Sequence, residues 1–285
     1  MSRIAYVNGS YVPHGSAAVH IEDRGYQFAD GVYEVCEVKG GRLVDETRHL
    51  DRLDRSLREL RIDSPMARGP LSVVLRETVR RNRVRDGLVY MQVTRGVARR
   101  DHAFPKPGTP PALVVTAKSV DMAKGAANAA KGVKVITLPD NRWERVDIKS
   151  VGLLPNCLAK QAAREAGAFE AWLVDADGFV TEGSSTNAWI ITKDGVLVTR
   201  HADNNILKGI TRTTLFDLCK REGIRIEERP FSVAEAQAAR ECFLTSATTI
   251  VMPIVEIDGR PVGNGAPGSI ASDLRAKFHE VAEIA

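Results

Sequence analysis

Lys149 stands at the end of an alternating stretch and has a side chain that can bond covalently to a carbonyl compound. Its neighbours Val146, Ile148 and Val151 are typical of a half-buried strand. Lysine is rarely buried unless it has a partner or a task, and a desolvated amine is a nucleophile that forms Schiff bases. A lysine at a strand edge that points to water would have the same local sequence, so other stretches must decide its role.

Two further stretches have the composition to bind an anionic, electron-withdrawing cofactor. Residues 208–212 are expected at a helix start, where unpaired N–H groups and the helix dipole can bind an anion. Gly209 has no side chain, so a ligand could approach the backbone closely there. In the hydroxyl-rich turn 181–187, the carboxylate of Glu182 could face a pyridine nitrogen. Each stretch also has an ordinary interpretation, because many helices begin with Gly or Thr and a turn glutamate is often solvated.

Cationic side chains in two other places are suited to phosphate or carboxylate groups. Arg52 is predicted on a helix, off its apolar stripe, and a guanidinium presents five donors in a fork that fits phosphate. Arg100 and His102 flank Asp101 in a long loop and could clamp a carboxylate. Arg52 could equally lie on the surface, and Arg100 and His102 could be solvated side chains of a flexible loop without a binding role.

The elements that must position these residues form two groups, and we place the domain boundary between them. We predict a smaller N-terminal α/β domain over residues 1–120, a flexible interdomain linker over 121–131, and a larger C-terminal domain over 132–285 that carries Lys149. The first group has predicted strands at 3–12, 31–45, 88–96 and 112–118, with hairpin turns at Asn8-Gly9 and Gly40-Gly41, and helices at 46–60 and 71–82.

The second group alternates between strand and helix patterns, with more hairpins than crossovers. Strands are predicted at 133–138, 144–151, 171–175, 179–183, 186–192, 196–200, 224–230, 241–247 and 251–262. Helices are predicted at 155–166, at 209–222 ending at Gly223, after a capping box of Ser232 and Glu235, and from Ser269 to the C-terminus. The fold class is therefore α/β, of the α+β type.

Composition limits the classes of function. The chain has 285 residues with 44% hydrophobic and 27% charged side chains and a net charge of +4, a globular balance. The densest basic run, 76–85, is typical of the solvated face of a helix, and no run approaches the roughly 18 apolar residues of a membrane span, so we expect neither nucleic acid nor membrane as partner. The N-terminus has the pattern of a hairpin and not of a signal peptide, and the scattered cysteines indicate neither zinc nor a redox pair, so we expect a cytoplasmic protein.

Together, these stretches resemble the fold-type IV aminotransferases that use pyridoxal phosphate, and most closely the bacterial D-amino-acid aminotransferases. The resemblance covers nearly the whole chain, from about Tyr6 to Val262, with the motifs in the same order. Each motif alone is unspecific, whereas the ordered set is highly specific. The motifs are DRGYQFADGVYE, HLDRL, the Arg100/His102 pair, DIKS, TEGSSTN, ILKGITR and TSATT.

The resemblance implies two domains with pyridoxal 5′-phosphate at their interface. It implies that Lys149 forms the internal aldimine and moves the proton between Cα and C4′, and that Glu182 pairs with the pyridine nitrogen. The other implied cofactor-binding residues contact the phosphate or the ring face, and are Arg52, Leu207, Ile210, Thr211, Ser246 and Ala247. Relatives carry Thr where Ala247 stands, which puts one hydroxyl contact in doubt, although the backbone N–H remains.

The resemblance also implies how the substrate is chosen. Tyr33, Arg100 and His102 look like the carboxylate trap of the D-specific enzymes, in which the Arg and His come from the facing subunit of a homodimer. The implied reaction is ping-pong transamination of D-amino acids, such as D-alanine, with 2-oxoglutarate or pyruvate as acceptor. The alternatives on the same scaffold are a branched-chain L-amino-acid aminotransferase, an (R)-amine transaminase and an aminodeoxychorismate lyase. A non-enzymatic cofactor carrier would keep the phosphate contacts without needing both Lys149 and Glu182.

Overall fold

The structure, a computed structural model, describes residues 3–285 and divides into two compact units. The first unit comprises Met1–Met122, Ile148–Gly152 and Glu283–Ala285, of which Met1 and Ser2 lie outside the described residues. The second comprises Ala123–Asp147 and Leu153–Ala282. Lys149 thus belongs to the first unit by its contacts, whereas the sequence predicted it in the C-terminal domain.

The first unit is built on a six-stranded sheet in which all neighbouring strands are antiparallel, in the order β2-β1-β6-β5-β3-β4. Both predicted hairpins are confirmed. The elements are β1 (Ile4–Val7), β2 (Ser10–Pro13), α1 (Arg24–Phe28), β3 (Gly31–Lys39), β4 (Arg42–Leu43), α2 (Glu46–Leu60), α3 (Arg68–Arg81), β5 (Gly87–Thr94) and β6 (Ala112–Ser119), with a 3₁₀ turn at His14–Ser16.

One face of this sheet is covered by helices. The leucine stripe of α2 packs against β3, and α3 packs against β1, β5 and β6. In β3, Val32, Cys36 and Val38 alternate toward this core and are at most 1% exposed. The same alternation places the carboxylate of Glu34 among them, and that placement requires a partner.

The segment that carries Lys149 is not the strand that the sequence predicted. Residues 144–147 form a turn, and only Ser150 makes an isolated bridge, to Val32. Because β4 is short, it leaves the first half of β3 with a free edge, and the Lys149 segment lies along this edge. The carbonyl of Lys149 accepts a hydrogen bond from the Tyr33 N–H at 3.0 Å, and the Val151 N–H donates to the Gly31 carbonyl at 3.0 Å.

The second unit contains a nine-stranded mixed sheet in the order β12-β11-β10-β13-β14-β7-β8-β9, with β15 paired to β14. The pairs β11/β12, β14/β7 and β7/β8 are parallel. The elements after Val120 are α4 (Met122–Lys131), β7 (Val133–Pro139), α5 (Leu154–Glu165), β8 (Glu170–Val174), β9 (Val180–Gly183), β10 (Asn187–Ile191), β11 (Leu197–Thr199), α6 (Ile210–Glu222), β12 (Ile226–Glu228), α7 (Val233–Gln237), β13 (Glu241–Ser246), β14 (Ile250–Ile257), β15 (Arg260–Pro261) and α8 (Ser269–Lys277), with a 3₁₀ turn at Phe278–Glu280.

Two local predictions need correction. The segment 121–131, expected to be a flexible linker, forms helix α4, because its many alanines favour a helix more strongly than its glycine opposes one. Only half of the predicted capping box forms at α7. The Ser232 hydroxyl accepts from the Glu235 N–H at 3.1 Å, but the Glu235 carboxylate binds Arg229 instead of reaching back. In residues 3–285, no helix is long and apolar enough to cross a bilayer.

Candidate active site

Lys149 lies half-buried against an aromatic pair on the face of the first sheet opposite its helices. Its Nζ is 4.2 Å from the centroid of the Tyr33 ring, and that ring stacks on Tyr90 with centroids 5.7 Å apart. The Tyr90 hydroxyl donates to Gln92 at 2.6 Å, and burial, together with Tyr33, raises the pKa of Tyr90 to about 12. The Lys149 N–H donates to the Ser56 hydroxyl at 3.4 Å, so the backbone under the amine is fixed on two sides.

Arg52 forms a bidentate ion pair with Glu34. Its Nε and Nη2 each lie 2.7 Å from one carboxylate oxygen of Glu34, and its side chain is 10% exposed. His49, one turn earlier on α2, places Nδ1 2.7 Å from the same carboxylate. The arginine predicted to bind phosphate is therefore oriented by a buried carboxylate through two of its five N–H donors.

The charge on Glu34 depends on this pair. Complete burial alone would raise the pKa of Glu34, but the guanidinium of Arg52 and hydrogen bonds from Arg52 and His49 hold it at about 2. Burial alone would likewise lower the pKa of Arg52, and Glu34 raises it. Both groups are thus ionised across the physiological range.

Arg100 and His102 are exposed in the loop between β5 and β6, as the sequence predicts. Both lie against Phe28 of α1. The guanidinium of Arg100 is 4.7 Å from the Phe28 ring centroid, and the His102 ring centroid is 5.5 Å away. Among residues 3–285, no hydrogen bond or ring contact joins either side chain to Tyr33 of the same chain.

In the second unit, Glu182 lies at the end of β9 with a side chain that is 7% exposed. Its carboxylate accepts hydrogen bonds from Arg142 at 2.5 Å, from the Asn187 amide at 2.9 Å and from the Leu207 N–H at 3.2 Å. Asn187 also donates to the Leu207 carbonyl at 2.9 Å, which ties the Leu207 segment to the carboxylate. Glu182 is thus a buried, oriented anion, and not the solvated turn residue that was the alternative.

Arg142 supports this anion and is itself fixed by a second carboxylate. Its Nε and Nη2 lie 2.9 and 2.7 Å from the two oxygens of Asp140, whose Oδ2 also accepts from the Thr181 hydroxyl at 2.7 Å. Burial alone would lower the pKa of Arg142, but hydrogen bonds with Asp140 and the charge of Glu182 raise it well above its usual range. An ion pair of this kind favours the charged form of the Glu182 carboxylate.

The first turn of α6 has the uncapped N-terminus that the sequence predicted, and its binding of an anion stays a prediction. Gly209 is the N-cap and makes no side-chain cap, so the N–H groups of Ile210 and Thr211 have no intrahelical acceptor, and none is seen elsewhere in residues 3–285. Gly209 is required for a reason that the sequence did not reveal. A Cβ on Gly209 would lie 2.1 Å from the amide oxygen of Asn187, the residue that orients Glu182.

Ser246 and Ala247 begin the turn between β13 and β14. The Ser246 hydroxyl lies 2.9 Å from each of the hydroxyls of Thr248 and Thr249, and it accepts from both of their N–H groups at 3.3 Å. The turn is therefore rich in hydroxyl groups although Ala247 has none.

The sequence reasoning missed four residues that support the site, namely Glu34, His49, Arg142 and Asn187. A signal existed for Glu34, since the period-two pattern of β3 puts it on the apolar face, where a carboxylate needs a partner. His49 lies one turn before Arg52 on α2, on the same side. Nothing in the sequence around Arg142 indicates its partner, which is 40 residues away.

Replacing Glu34 tests the first ion pair. Glu34→Gln leaves Arg52 without its charge partner, and we expect the free energy of unfolding at pH 7 to fall by about 3 kcal/mol in urea titrations. Because the folded pKa of Glu34, about 2, lies below its usual range, the pair stabilises the fold above about pH 4.5. The difference in the free energy of unfolding between the parent protein and Glu34→Gln should therefore shrink as the pH falls from about 4.5 toward 2.

Glu77→Gln is the matched control. Glu77 also pairs with two arginines, Arg80 and Arg81, but on the exposed face of α3, where solvent screens the charges. Its replacement should leave the free energy of unfolding nearly unchanged. Equal losses in both variants would contradict the role given to the burial of Glu34.

Similarity to known proteins places the chain in a family. It matches the family described as Amino-transferase class IV over residues 31–257. A D-alanine aminotransferase from Bacillus licheniformis is 42% identical over 268 residues, covering 94% of this chain and 93% of that protein. A second, from Staphylococcus aureus (strain MSSA476), is 39% identical over 278 residues, covering 98% of this chain and 97% of that protein.

The fold is also similar to that of solved aminotransferase structures. A T.th. branched-chain amino acid aminotransferase with pyridoxamine 5′-phosphate matches with a TM-score of 0.89 at 28% identity, covering 98% of this chain and 94% of that chain. The predicted fold class and cofactor are confirmed by these similarities, whereas the roles of individual site residues stay predictions. The chain belongs to the class IV aminotransferases, the fold-type IV enzymes that use pyridoxal 5′-phosphate.

Proposed function

We propose that this chain transfers the amino group of D-amino acids, such as D-alanine, to a 2-oxo acid such as 2-oxoglutarate or pyruvate. The observation that carries the proposal is the presence in one chain of a half-buried lysine, Lys149, and a buried, ion-paired carboxylate, Glu182. A protein that only carried the cofactor would need neither. Similarity to D-alanine aminotransferases over 94% and 98% of the chain supports the choice of D-amino acids.

Lys149 performs the covalent and proton-transfer steps. Pyridoxal phosphate supplies an electron sink that stabilises the negative charge left when the substrate Cα loses its proton. Lys149 would hold the cofactor covalently through its Nζ. Once the substrate amine has displaced it, the free Nζ would take the substrate Cα proton as a general base and return it as a general acid. The Lys149 carbonyl accepts a hydrogen bond from the Tyr33 N–H, and this fixes the Lys149 backbone. Only the side-chain methylene groups therefore have to move.

Glu182 would pair with the ring nitrogen of the cofactor and favour its protonated form. A carboxylate that stays charged favours a pyridinium over a neutral pyridine, and the pyridinium withdraws electrons more strongly. Arg142 keeps the carboxylate charged, while Asn187 and the Leu207 N–H fix its plane. Leu207, placed beside this carboxylate by its own N–H, would contact the ring of the cofactor.

The phosphate is bound by residues of the anion sites described above. At the start of α6, the helix dipole favours a dianion, and the N–H groups of Ile210 and Thr211 and the Thr211 hydroxyl would bind it there. The Ser246 hydroxyl and the Ala247 N–H form a second contact, in a turn where Thr248 and Thr249 supply further hydroxyls. Arg52, with its fork oriented by Glu34, adds a charge-assisted contact.

Tyr33, Arg100 and His102 bind the substrate carboxylate and thereby select the handedness. The amine of Lys149 acts on one face of the cofactor, so the side on which the carboxylate is held decides which enantiomer presents its Cα proton to it. We propose a homodimer in which Arg100 and His102 serve the neighbouring subunit, and their exposure in the loop supports this. Four free cysteines, three of them buried, support a cytoplasmic location.

Replacing Lys149 tests the catalytic role. Lys149→Ala should lower transamination of D-alanine by at least about a thousandfold, because the nucleophile and the proton carrier are lost together. The variant should still bind pyridoxal phosphate noncovalently, as seen in its absorption spectrum. The control Lys193→Ala, at an exposed turn, should behave like the parent enzyme. Turnover by Lys149→Ala at the normal rate would refute the assignment.

Gly209→Ala tests the link between Asn187 and the cofactor. The new Cβ collides with the Asn187 amide oxygen, so Asn187 must release Glu182 or the start of α6 must move. We expect the Kd for pyridoxal phosphate to rise by about tenfold or more in fluorescence titrations. Gly69→Ala, in α3 with no atom within 4 Å of its Cβ position, is the control and should leave the Kd unchanged. An unchanged Kd in Gly209→Ala would contradict this account.

A further inference from the structure

Arg24, the first residue of α1, is buried at the inner side of the loop that carries Arg100 and His102. Its side chain is 4% exposed. Its Nη1 donates to the carbonyl of Asp101 at 2.6 Å and to that of Ala103 at 3.2 Å, and its Nη2 donates to the carbonyl of His102 at 3.4 Å. The backbone of three consecutive loop residues is therefore turned toward one guanidinium.

Asp30 fixes the direction of that guanidinium. The Nε of Arg24 lies 2.8 Å from Oδ2 of Asp30, and the same carboxylate accepts from Arg95 at 2.7 and 2.9 Å. Burial alone would raise the pKa of Asp30, but hydrogen bonds from Arg95 and Arg24 lower it. Since Asp30 directly precedes β3, this ion cluster connects the loop to the central sheet of the first unit.

The side chains of the loop pack on the same short helix. The Phe28 ring lies 4.8 Å from the guanidinium carbon of Arg24 and 4.7 Å from that of Arg100, with the His102 ring 5.5 Å away. Each contact has the geometry of a cation–π or ring–ring interaction. The two loop residues are thus held both by their backbone, through Arg24, and by their side chains, through Phe28.

A second anchor stabilises the loop further along. The guanidinium of Arg95 lies 3.7 Å from the centroid of the Phe104 ring, and Arg95 also donates to the carbonyls of Leu60 and Arg61 at 2.7 Å each. The loop therefore has two attachment points, Arg24 and Arg95, and both of these arginines bind Asp30. Arg24 contacts the part that contains His102, and Arg95 contacts the part beyond it.

We propose that Arg24 is a positioning residue for substrate binding: by fixing the carbonyls of residues 101–103, it sets the directions in which Arg100 and His102 present their charges to the substrate carboxylate. This rests on the proposed function, in which those two side chains bind that carboxylate. A charge-assisted contact depends on geometry, so a loop released from Arg24 keeps its charges and loses their alignment. Arg24 touches neither substrate nor cofactor in this account.

The test compares three variants in the cofactor-loaded enzyme with D-alanine as donor. Arg24→Lys keeps the charge but cannot reach Asp30 and three carbonyls at once. We expect its KM for D-alanine to rise about tenfold with kcat within about twofold and the Kd for pyridoxal phosphate unchanged. Arg99→Lys, the same substitution at an exposed position of the same loop, is the matched control and should leave all three values unchanged. Arg100→Ala reports on the carboxylate role itself.

Hydrogen exchange provides a readout that is independent of turnover. The Ala103 N–H donates to the Asp101 carboxylate at 3.1 Å, and its exchange should accelerate in Arg24→Lys but not in Arg99→Lys. Should Arg24→Lys not fold, Asp30→Asn removes the carboxylate that orients Arg24 and should give the same rise in KM.

The outcomes distinguish a failure of the positioning role of Arg24 from a failure of the proposed function. A raised KM in both Arg100→Ala and Arg24→Lys, with normal kcat, supports the positioning role. A raised KM in Arg100→Ala together with parental values in Arg24→Lys overturns the role of Arg24 and leaves the proposed function intact. A normal KM in Arg100→Ala overturns the carboxylate role and the inference that rests on it. A fall in kcat or in cofactor affinity in Arg24→Lys would mean that Arg24 supports the fold and not the substrate geometry.

Discussion

The buried ion pair between Arg142 and Glu182 is the interaction on which the proposed chemistry depends. A carboxylate removed from water loses much of its hydration, and without a cation beside it would take up a proton. Asp140 holds Arg142 in place, and Arg142 holds the charge on Glu182. Two neighbouring residues keep the Glu182 carboxylate in this position. Asn187 fixes the carboxylate plane by a hydrogen bond, and Gly209, which has no Cβ, leaves the space that the Asn187 amide occupies.

The first unit also contains a buried carboxylate that is paired with an arginine. Glu34 is completely buried in β3, and Arg52 and His49 of α2 satisfy it. This pair fixes an arginine that would otherwise be a flexible surface side chain, and β3 fixes Lys149 through its free edge. A third cluster, around Asp30, ties down the long loop. In each case a carboxylate that is at most 12% exposed orients an arginine.

Much of the fold was predictable because its signals are local. Hairpins such as Asn8-Gly9, and the start and end of α6 at Gly209 and Gly223, follow from turn and cap chemistry. The Lys149 segment was wrongly predicted as a strand because it pairs with an edge of β3 that is distant in the sequence, which no local pattern reveals. Arg142 was missed for the same reason, since its pairing with Glu182 arises only when the sheet of the second unit has formed.

The central claim, transamination of D-amino acids through Lys149, is tested most directly by the absorption spectrum of the cofactor-loaded protein during titration with D-alanine and, separately, with L-leucine. The account predicts that the band of the cofactor bound to Lys149 disappears with D-alanine and persists with L-leucine. Conversion by L-leucine alone would identify a branched-chain enzyme and reduce Arg100 and His102 to loop charges. Absence of the band before any substrate is added would contradict the role of Lys149, and with it the proposed reaction.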